Sequence, residues 1–383
     1  MEHNSRVRRI ASAMRVCFLF IFVLVLTAAF PGFPLGPPAA GALVVRLTDK
    51  QADQASASRV AGFVDPADAG TSQSASSALS PLPKRQDTAI PDSLKAFVRE
   101  AVDKLAVDAP FKEWKTAEQS IYPLGPGTHG WLVNLLSGDK RIGYMIITAS
   151  DNGGYTLSEY GAGSDESLPY SVTELRLFLA QKGLIHSSDE LIEQIPLYAP
   201  LLPYWKVTLN SQTLNSQTLN GQTLYVNAIV PEILPWDKSK AEAVAGSAEA
   251  DQHYGLTAYG SLTDFTAKPM FQTGHTGDPY DNLLWLTSPK LAPLAAGEFA
   301  ELLHRHPGLV FRSNDGANDT LSAPLMISGY QLWSRPEASG GGTIAYAALG
   351  IGGRRFLPLD ALQQSGKFQV YISSDGVAAQ PRR

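Results

Sequence analysis

The chain has 383 residues, 31 basic and 36 acidic, for a net charge of −5, and a single cysteine. Residues 1–42 hold four arginines and one glutamate, so the remainder is net −8 and contains no thiol. A mildly acidic body without a basic run argues against nucleic acid as a partner. With Cys17 as the last cysteine, disulfides, a cysteine nucleophile and thiolate metal sites are excluded from everything that follows it.

Arg6, Arg8, Arg9 and Arg15 precede an apolar run over residues 16–30 (VCFLFIFVLVLTAAF). This order, basic and then apolar, is that of an export signal, and Ala40-Gly41-Ala42 offers the small residues a signal peptidase needs, for cleavage after Ala42. The alternative is an uncleaved signal anchor: no charge falls between Val16 and Val45, and a span needs about 20 apolar residues. Either reading places the body of the chain outside a cell membrane, secreted or held by its N-terminal segment. Residues 43–90 are rich in Ala, Ser, Gln, Asp and Pro and cannot bury enough apolar surface to offset the entropy of ordering, so a disordered stalk is expected.

A helix is expected to open at Pro91-Asp92-Ser93, capped by Asp92 or Ser93, with Leu94, Phe97, Val98, Ala101, Val102 and Leu105 forming its apolar face. Runs at 131–136, 141–149 and 155–160, separated by Ser137-Gly138-Asp139 and Asp151-Asn152-Gly153-Gly154, predict an antiparallel meander. A second helix over 171–182 shows spaced apolar positions at Val172, Leu175, Leu177 and Phe178. A hairpin of 204–209 with 224–233 follows. Its tip carries a repeat, Ser-Gln-Thr-Leu-Asn at 211–215 and 216–220, too short for a solenoid. Without those ten residues an Asn-Gly hairpin remains, which sets Trp205 opposite Val226. Residues 235–251 read as a polar connector or short helix. Beyond it come a helix over 295–304 and strands at 309–312, 325–332, 343–349, 355–357 and 368–372, with glycine turns at 340–342 and 350–353.

The fold expected from these elements is α+β: two small domains, 91–235 and 252–383, joined by a connector at 236–251. Each would have an antiparallel sheet with one or two packed helices. Both would follow an N-terminal hydrophobic helix (1–42) and the disordered stalk.

Chemistry is sparse along this chain. Gly350, Gly352 and Gly353 lead into a strand rather than a helix N-terminus, so they read as a turn and not as a phosphate loop. Glu301 and His304 lie one helical turn apart, ligand spacing for a metal, but no second motif matches them, and no metal or other cofactor is expected. No Gly-x-Ser-x-Gly elbow is present. Ser328 lies within an apolar strand, and Asp278 and Asp281, a carboxylate pair of the kind glycoside hydrolysis uses, sit in what reads as a turn before a buried Leu-Leu-Trp segment. Aromatic residues remain as candidates for a binding surface, namely Tyr280, Trp285, Tyr330 and Trp333, although large rings are also what a thiol-free core would use.

Residues 131–163 (WLVNLLSGDKRIGYMIITASDNGGYTLSEYGAG) resemble the propeptide-type domain of streptopain-like proteases. The hairpin within 204–235, with Trp-Lys-Val-Thr-Leu and Pro-Glu-Ile-Leu-Pro, is similar to the ending of PepSY-like domains. Both families imply small α+β modules of exported bacterial proteins that hold or inhibit peptidases. Ala323-Pro324-Leu325-Met326-Ile327-Ser328-Gly329-Tyr330, Tyr346-Ala347-Ala348-Leu349 and Arg355-Phe356-Leu357-Pro358-Leu359 resemble the second half of bacteriocin-processing-type, papain-like cysteine peptidases. There a catalytic histidine precedes the Gly-Tyr strand; here Ala323 and Pro324 stand near that place, and no cysteine is available. The resemblance therefore implies a degenerate peptidase fold kept for binding. The expected function is a non-catalytic extracytoplasmic binding protein of a bacterial envelope that recognises a peptide, a protein or a wall component. The alternatives are a hydrolase working through Asp278, Asp281, Glu301 and His304, and a structural envelope protein.

Overall fold

A computed structural model of the chain describes residues 90–125, 129–150, 153–187, 190–209, 222–249, 254–258, 261–275, 277–314, 321, 323–336, 341–350 and 353–372. The expected signal or anchor, nearly all of the stalk and the repeat at 211–220 lie outside the described residues. Among the described residues, no helix is long and apolar enough to cross a membrane.

Helix α1 (Asp92–Leu105) buries Leu94, Phe97, Val98, Ala101, Val102 and Leu105, the six positions its periodicity marks. Its cap differs from the expectation. Pro91 occupies the N-cap position without a side-chain bond, while Asp92 lies in the first turn, paired with Lys95 at 2.9 Å. A proline there loses nothing, because the first amides of a helix have no intrahelical partner. A short 3₁₀ segment, Lys112–Thr116, leads into the edge strand β1 (Glu118–Pro123). The meander follows as β2 (Gly130–Ser137), β3 (Lys140–Ala149) and β4 (Tyr155–Ala162), all antiparallel. Helix α2 (Val172–Gln181) is capped by Ser171, whose side chain accepts from the Glu174 amide. It buries Leu175 and Leu179, whereas Leu177, counted above on its apolar face, is exposed.

Strands β5 (Glu193–Ala199), β6 (Leu202–Leu209) and β7 (Gln222–Asn227) form a separate three-stranded sheet in which Trp205 does stand opposite Val226. Helix α3 (Lys238–Glu249) occupies the connector and places Ala241 beside Tyr204, Tyr225 and Leu234. The remaining elements are the short strands β8 (Leu256–Ala258), β9 (Thr266–Ala267) and β10 (Phe271–Gln272), helix α4 (Ala296–Arg305), β11 (Leu309–Ser313), β12 (Leu325–Ser334), β13 (Thr343–Leu349), β14 (Arg355–Pro358), helix α5 (Leu359–Ser365) and β15 (Gly366–Val370). The segment after Asn282, read above as buried, is a 3₁₀ turn that buries Trp285 alone and exposes Leu283, Leu284 and Leu286.

The α+β class holds, but the sheets do not divide where the sequence does. One sheet has twelve strands, in the order β1-β2-β3-β4-β14-β13-β12-β11-β15. β8 is added to β4, and β9 and β10 to β12. The boundary at 236–251 therefore separates stretches of sequence and not sheets. The second edge of β4 is shared by β8 and by β14, with Tyr160 opposite Phe356 and Gly161 opposite Arg355. All described residues belong to one compact unit.

The physical reason is visible in the core. On one face of the large sheet α1 covers Val133, Leu135, Met145, Ile147, Leu157 and Tyr160, together with Trp333, Tyr346, Ala348 and Phe356 from the C-terminal strands. Alternate residues of the same strands face the other way. Leu132, Tyr144 and Ile146 pack on α2 and the three-stranded sheet. Ala345, Ala347, Leu349 and Leu357 pack on α4 and α5. Each large side chain so buried contributes roughly 1.5–3 kcal/mol. Splitting the molecule at the connector would expose the stacked pair Tyr160–Phe356, whose ring centroids lie 5.0 Å apart.

Candidate functional site

The four aromatic residues singled out from the sequence do not assemble into a surface. Tyr280 is 66% exposed, but Trp285, Tyr330 and Trp333 are 3%, 8% and 0% exposed. Their polar ends are satisfied internally. Trp285 Nε1 donates to the Pro279 carbonyl at 2.8 Å, Trp333 Nε1 to the Tyr160 hydroxyl at 3.3 Å, and the Tyr330 hydroxyl bonds His304 Nε2 at 2.9 Å. These three rings lie buried in the core, where large aromatic side chains add apolar area to a body without disulfides.

The polar candidates are likewise dispersed. Asp278 accepts the Tyr280 amide and Asp281 the Asp278 amide, which makes the pair a local turn. Glu301 reaches Arg305 at 3.9 Å on an exposed helix face, and His304 is engaged with Tyr330. Ser328 is 2% exposed, at a bulge of β12, with its hydroxyl unpartnered. Around Ala323 and Gly329 the structure is filled. Ala323 is buried against the α4 side of the core, and the Phe271 carbonyl lies so close to Gly329 that no side chain fits there. That close approach is what allows β10 to pair with β12.

An open cleft of about 830 Å³ lies at one end of the large sheet, with Gln272, the strand partner of Gly329, in its lining. Five stretches converge on it: 109–113, the β2–β3 turn and start of β3 at 139–142, the exit of β4 at 162–165, 270–272 beside β10, and 353–354 before β14. Ala109, Pro110, Ile142, Ala162 and Met270 make its lining partly apolar; Glu113, Asp139, Lys140, Arg141, Asp165 and Arg354 bring charge of both signs. Pockets that bind small organic ligands have this makeup, apolar surface with a few placed polar groups.

Two arginines set the character of the cleft. Arg141 stands second in β3, between Lys140 and the apolar run that begins at Ile142, and its side chain is 4% exposed. Nη1 donates to the Pro169 carbonyl at 2.7 Å and to Asp165 at 3.3 Å, while Nε and Nη2 have no partner. Its guanidinium lies 5.7 Å from the centre of the Tyr144 ring. Burial lowers its pKa, and the Asp165 charge opposes the shift. Arg354 is exposed. Its carbonyl accepts the Ala162 amide at 3.1 Å, and its stem lies along Gly163, with Cδ 3.6 Å from where a β-carbon on that glycine would stand. Of these residues the sequence had marked none as a site. Arg141 itself stands beside Lys140 at the turn into β3, where a charged residue carries no signal of a site.

Directly behind the cleft, where β4 meets β14, lies a buried ionic network. Glu159, with no exposed surface, accepts from Arg355 Nε at 2.6 Å and Nη2 at 2.9 Å and from the Tyr144 hydroxyl at 2.5 Å. Arg355 Nη2 also donates to the Leu201 carbonyl at 2.8 Å. The neighbouring phenols are held un-ionised. Burial, then the Glu159 charge, pushes Tyr144, Tyr170 and Tyr198 far up. Burial does the same for Tyr160 and Tyr346, and Tyr204 is pushed up to about 12.

A folded value above the unfolded one, near ~10 for tyrosine, makes a contribution to stability that is complete below pH ~10 and is lost as pH rises through the folded values. We expect absorbance at 295 nm to show these six phenols silent at pH 10 in the folded chain and titrating near ~10 in denaturant, with the urea midpoint falling above that pH. All tyrosines ionising together near pH ~10 in the folded protein would contradict this assignment.

Compared with protein-family profiles, with curated proteins and with solved structures, the chain has no match.

Proposed function

We propose that the chain is a non-catalytic, extracytoplasmic binding protein of a bacterial envelope, which takes a peptide, or the peptide part of a protein or wall component, in the cleft at the end of the large sheet. The observation that carries this reading is the composition of the cleft. Apolar surface from Ala109, Pro110, Ile142, Ala162 and Met270 alternates with charges of both signs, as suits a backbone-bearing ligand with both polar ends and apolar side chains. Asp278, Asp281, Glu301 and His304, the residues named for a hydrolase, lie outside that lining and are engaged in a turn, an exposed ion pair and a core contact. The thiol-free body and the basic-apolar N-terminus support an extracytoplasmic location. The resemblance to propeptide, PepSY-like and papain-like modules supports peptide recognition without cleavage, on two sequence modules, 91–235 and 252–383, that share one sheet.

The test is retention of synthetic peptides and of soluble wall fragments by the immobilised full-length chain, compared with Ala109→Trp. Ala109 is exposed and lines the cleft, so an indole there obstructs part of it without entering the core. At least a tenfold loss of retention is expected, with the bound peptides recovered uncut. Equal retention by the variant would place binding elsewhere, and cleavage products would reject the non-catalytic reading.

A further inference from the structure

We propose that the wall of the cleft formed by Lys140, Arg141 and Arg354 is a subsite for a single carboxylate, the free C-terminus of a bound peptide; this deepens the reading given above and rests on it. The argument begins with charge. Of the acidic residues that line the cleft, Asp165 is already committed, to Arg141 at 3.3 Å and to the Ser171 hydroxyl at 2.8 Å. Among the described residues no ion pair ties Lys140 or Arg354 to an acid. Of the three guanidinium nitrogens of Arg141 one is used, and two are buried and unpartnered in the wall of the cleft. Asp165 offsets the Arg141 charge, so what Arg141 adds to the cleft wall is its two unpartnered donors rather than a net field. Arg141 thus offers unpartnered donors at the wall, and the exposed Arg354 offers a charged fork for contact.

The same lining limits what the anion can be. Glu113 and Asp139 also face the cleft, and neither is tied to a cation among the described residues. A ligand with several negative charges, such as a phosphate-rich polymer, would meet both. One carboxylate on a neutral, amide-containing chain meets the arginines and leaves those acids free to accept from ligand N–H groups. A peptide terminus has this chemistry, and the apolar residues of the lining accommodate the side chains that precede it.

The experiment uses a randomised, N-acetylated hexapeptide mixture made once with a free C-terminal carboxylate and once as the C-terminal amide. Each form is incubated with the immobilised full-length chain, and retained peptides are quantified by mass spectrometry. The acid form is expected to be retained at least tenfold more than the amide, with a preference that weakens as salt rises and falls to about one in Arg354→Gln. Arg354 is exposed, so the variant should keep the native near-ultraviolet dichroism. Equal retention of acid and amide, or a preference undiminished in Arg354→Gln, would overturn the subsite while leaving peptide binding in the cleft intact. Retention of neither form, with the parent chain also failing on wall fragments, would overturn the proposed function and the subsite with it.

Discussion

Glu159→Ala is expected to destabilise the protein by about 3–5 kcal/mol, the cost of leaving a buried partner charge uncompensated. The carboxylate has no exposed surface and receives both forks of Arg355. Its removal strands a guanidinium whose other bond among the described residues is to the Leu201 carbonyl. That guanidinium projects from β14, and the glutamate from β4, so the pair fastens the strand contact at which the N-terminal and C-terminal sequences become one sheet. Urea denaturation followed by dichroism and tryptophan fluorescence should show one transition, shifted to lower urea, with both probes moving together. The double variant Glu159→Met/Arg355→Met should recover most of the loss, because an apolar pair of similar volume avoids the desolvation that the ions incur. A loss under ~1 kcal/mol, or a melt in which one half unfolds alone, would mean that the pair does not couple the halves.

What the sequence made legible was local. The spacing of Leu94, Phe97, Val98, Ala101, Val102 and Leu105 is by itself an α-helix with one buried face. The two-residue turn closed by Ser137 and Lys140 is written in Gly138-Asp139. The pairing of Trp205 with Val226 followed from removing a duplication at the hairpin tip. Edge and bridging elements were not legible. β1, Glu-Gln-Ser-Ile-Tyr-Pro, has mixed polarity because an edge strand need not be buried on both faces, and β8 to β10 are two or three residues long. Helix α5 starts at a proline N-cap and is only seven residues long, below the length at which periodicity can be read.

The pairing of β4 with β14 joins residues about 195 positions apart. No local pattern encodes such a contact, and glycine turns with a polar connector between the halves suggest two domains instead. The cleft was missed for the same reason: its five stretches are separate in sequence, and each alone looks like a turn or a strand end. Arg141 follows Asp139 and Lys140 at the turn into β3, so nothing in its neighbours marks it as a buried charge.

Trp333→Ala is the second substitution with a large expected effect, about 3–5 kcal/mol of lost stability. It distinguishes an aromatic residue of the core from one that binds. The indole has no exposed surface and donates to the Tyr160 hydroxyl, which in turn donates to Gln331 Oε1 at 2.8 Å. Gln331 donates onward to the Lys268 carbonyl, which links β4, β12 and the chain between β9 and β10 through one buried polar path. Alanine at 333 would leave a cavity between α1 and the sheet and would take the indole donor from Tyr160, so packing and hydrogen bonding are lost together. Tyr280→Ala, at a ring 66% exposed, should change stability by less than about 0.5 kcal/mol. Peptide retention, measured at a temperature where both variants are folded, should be unaffected by either change, since neither residue lines the cleft. A Trp333→Ala chain with parental stability and lost binding would restore the indole to a ligand surface. Loss of stability with binding preserved would assign it to the core on which the cleft is built.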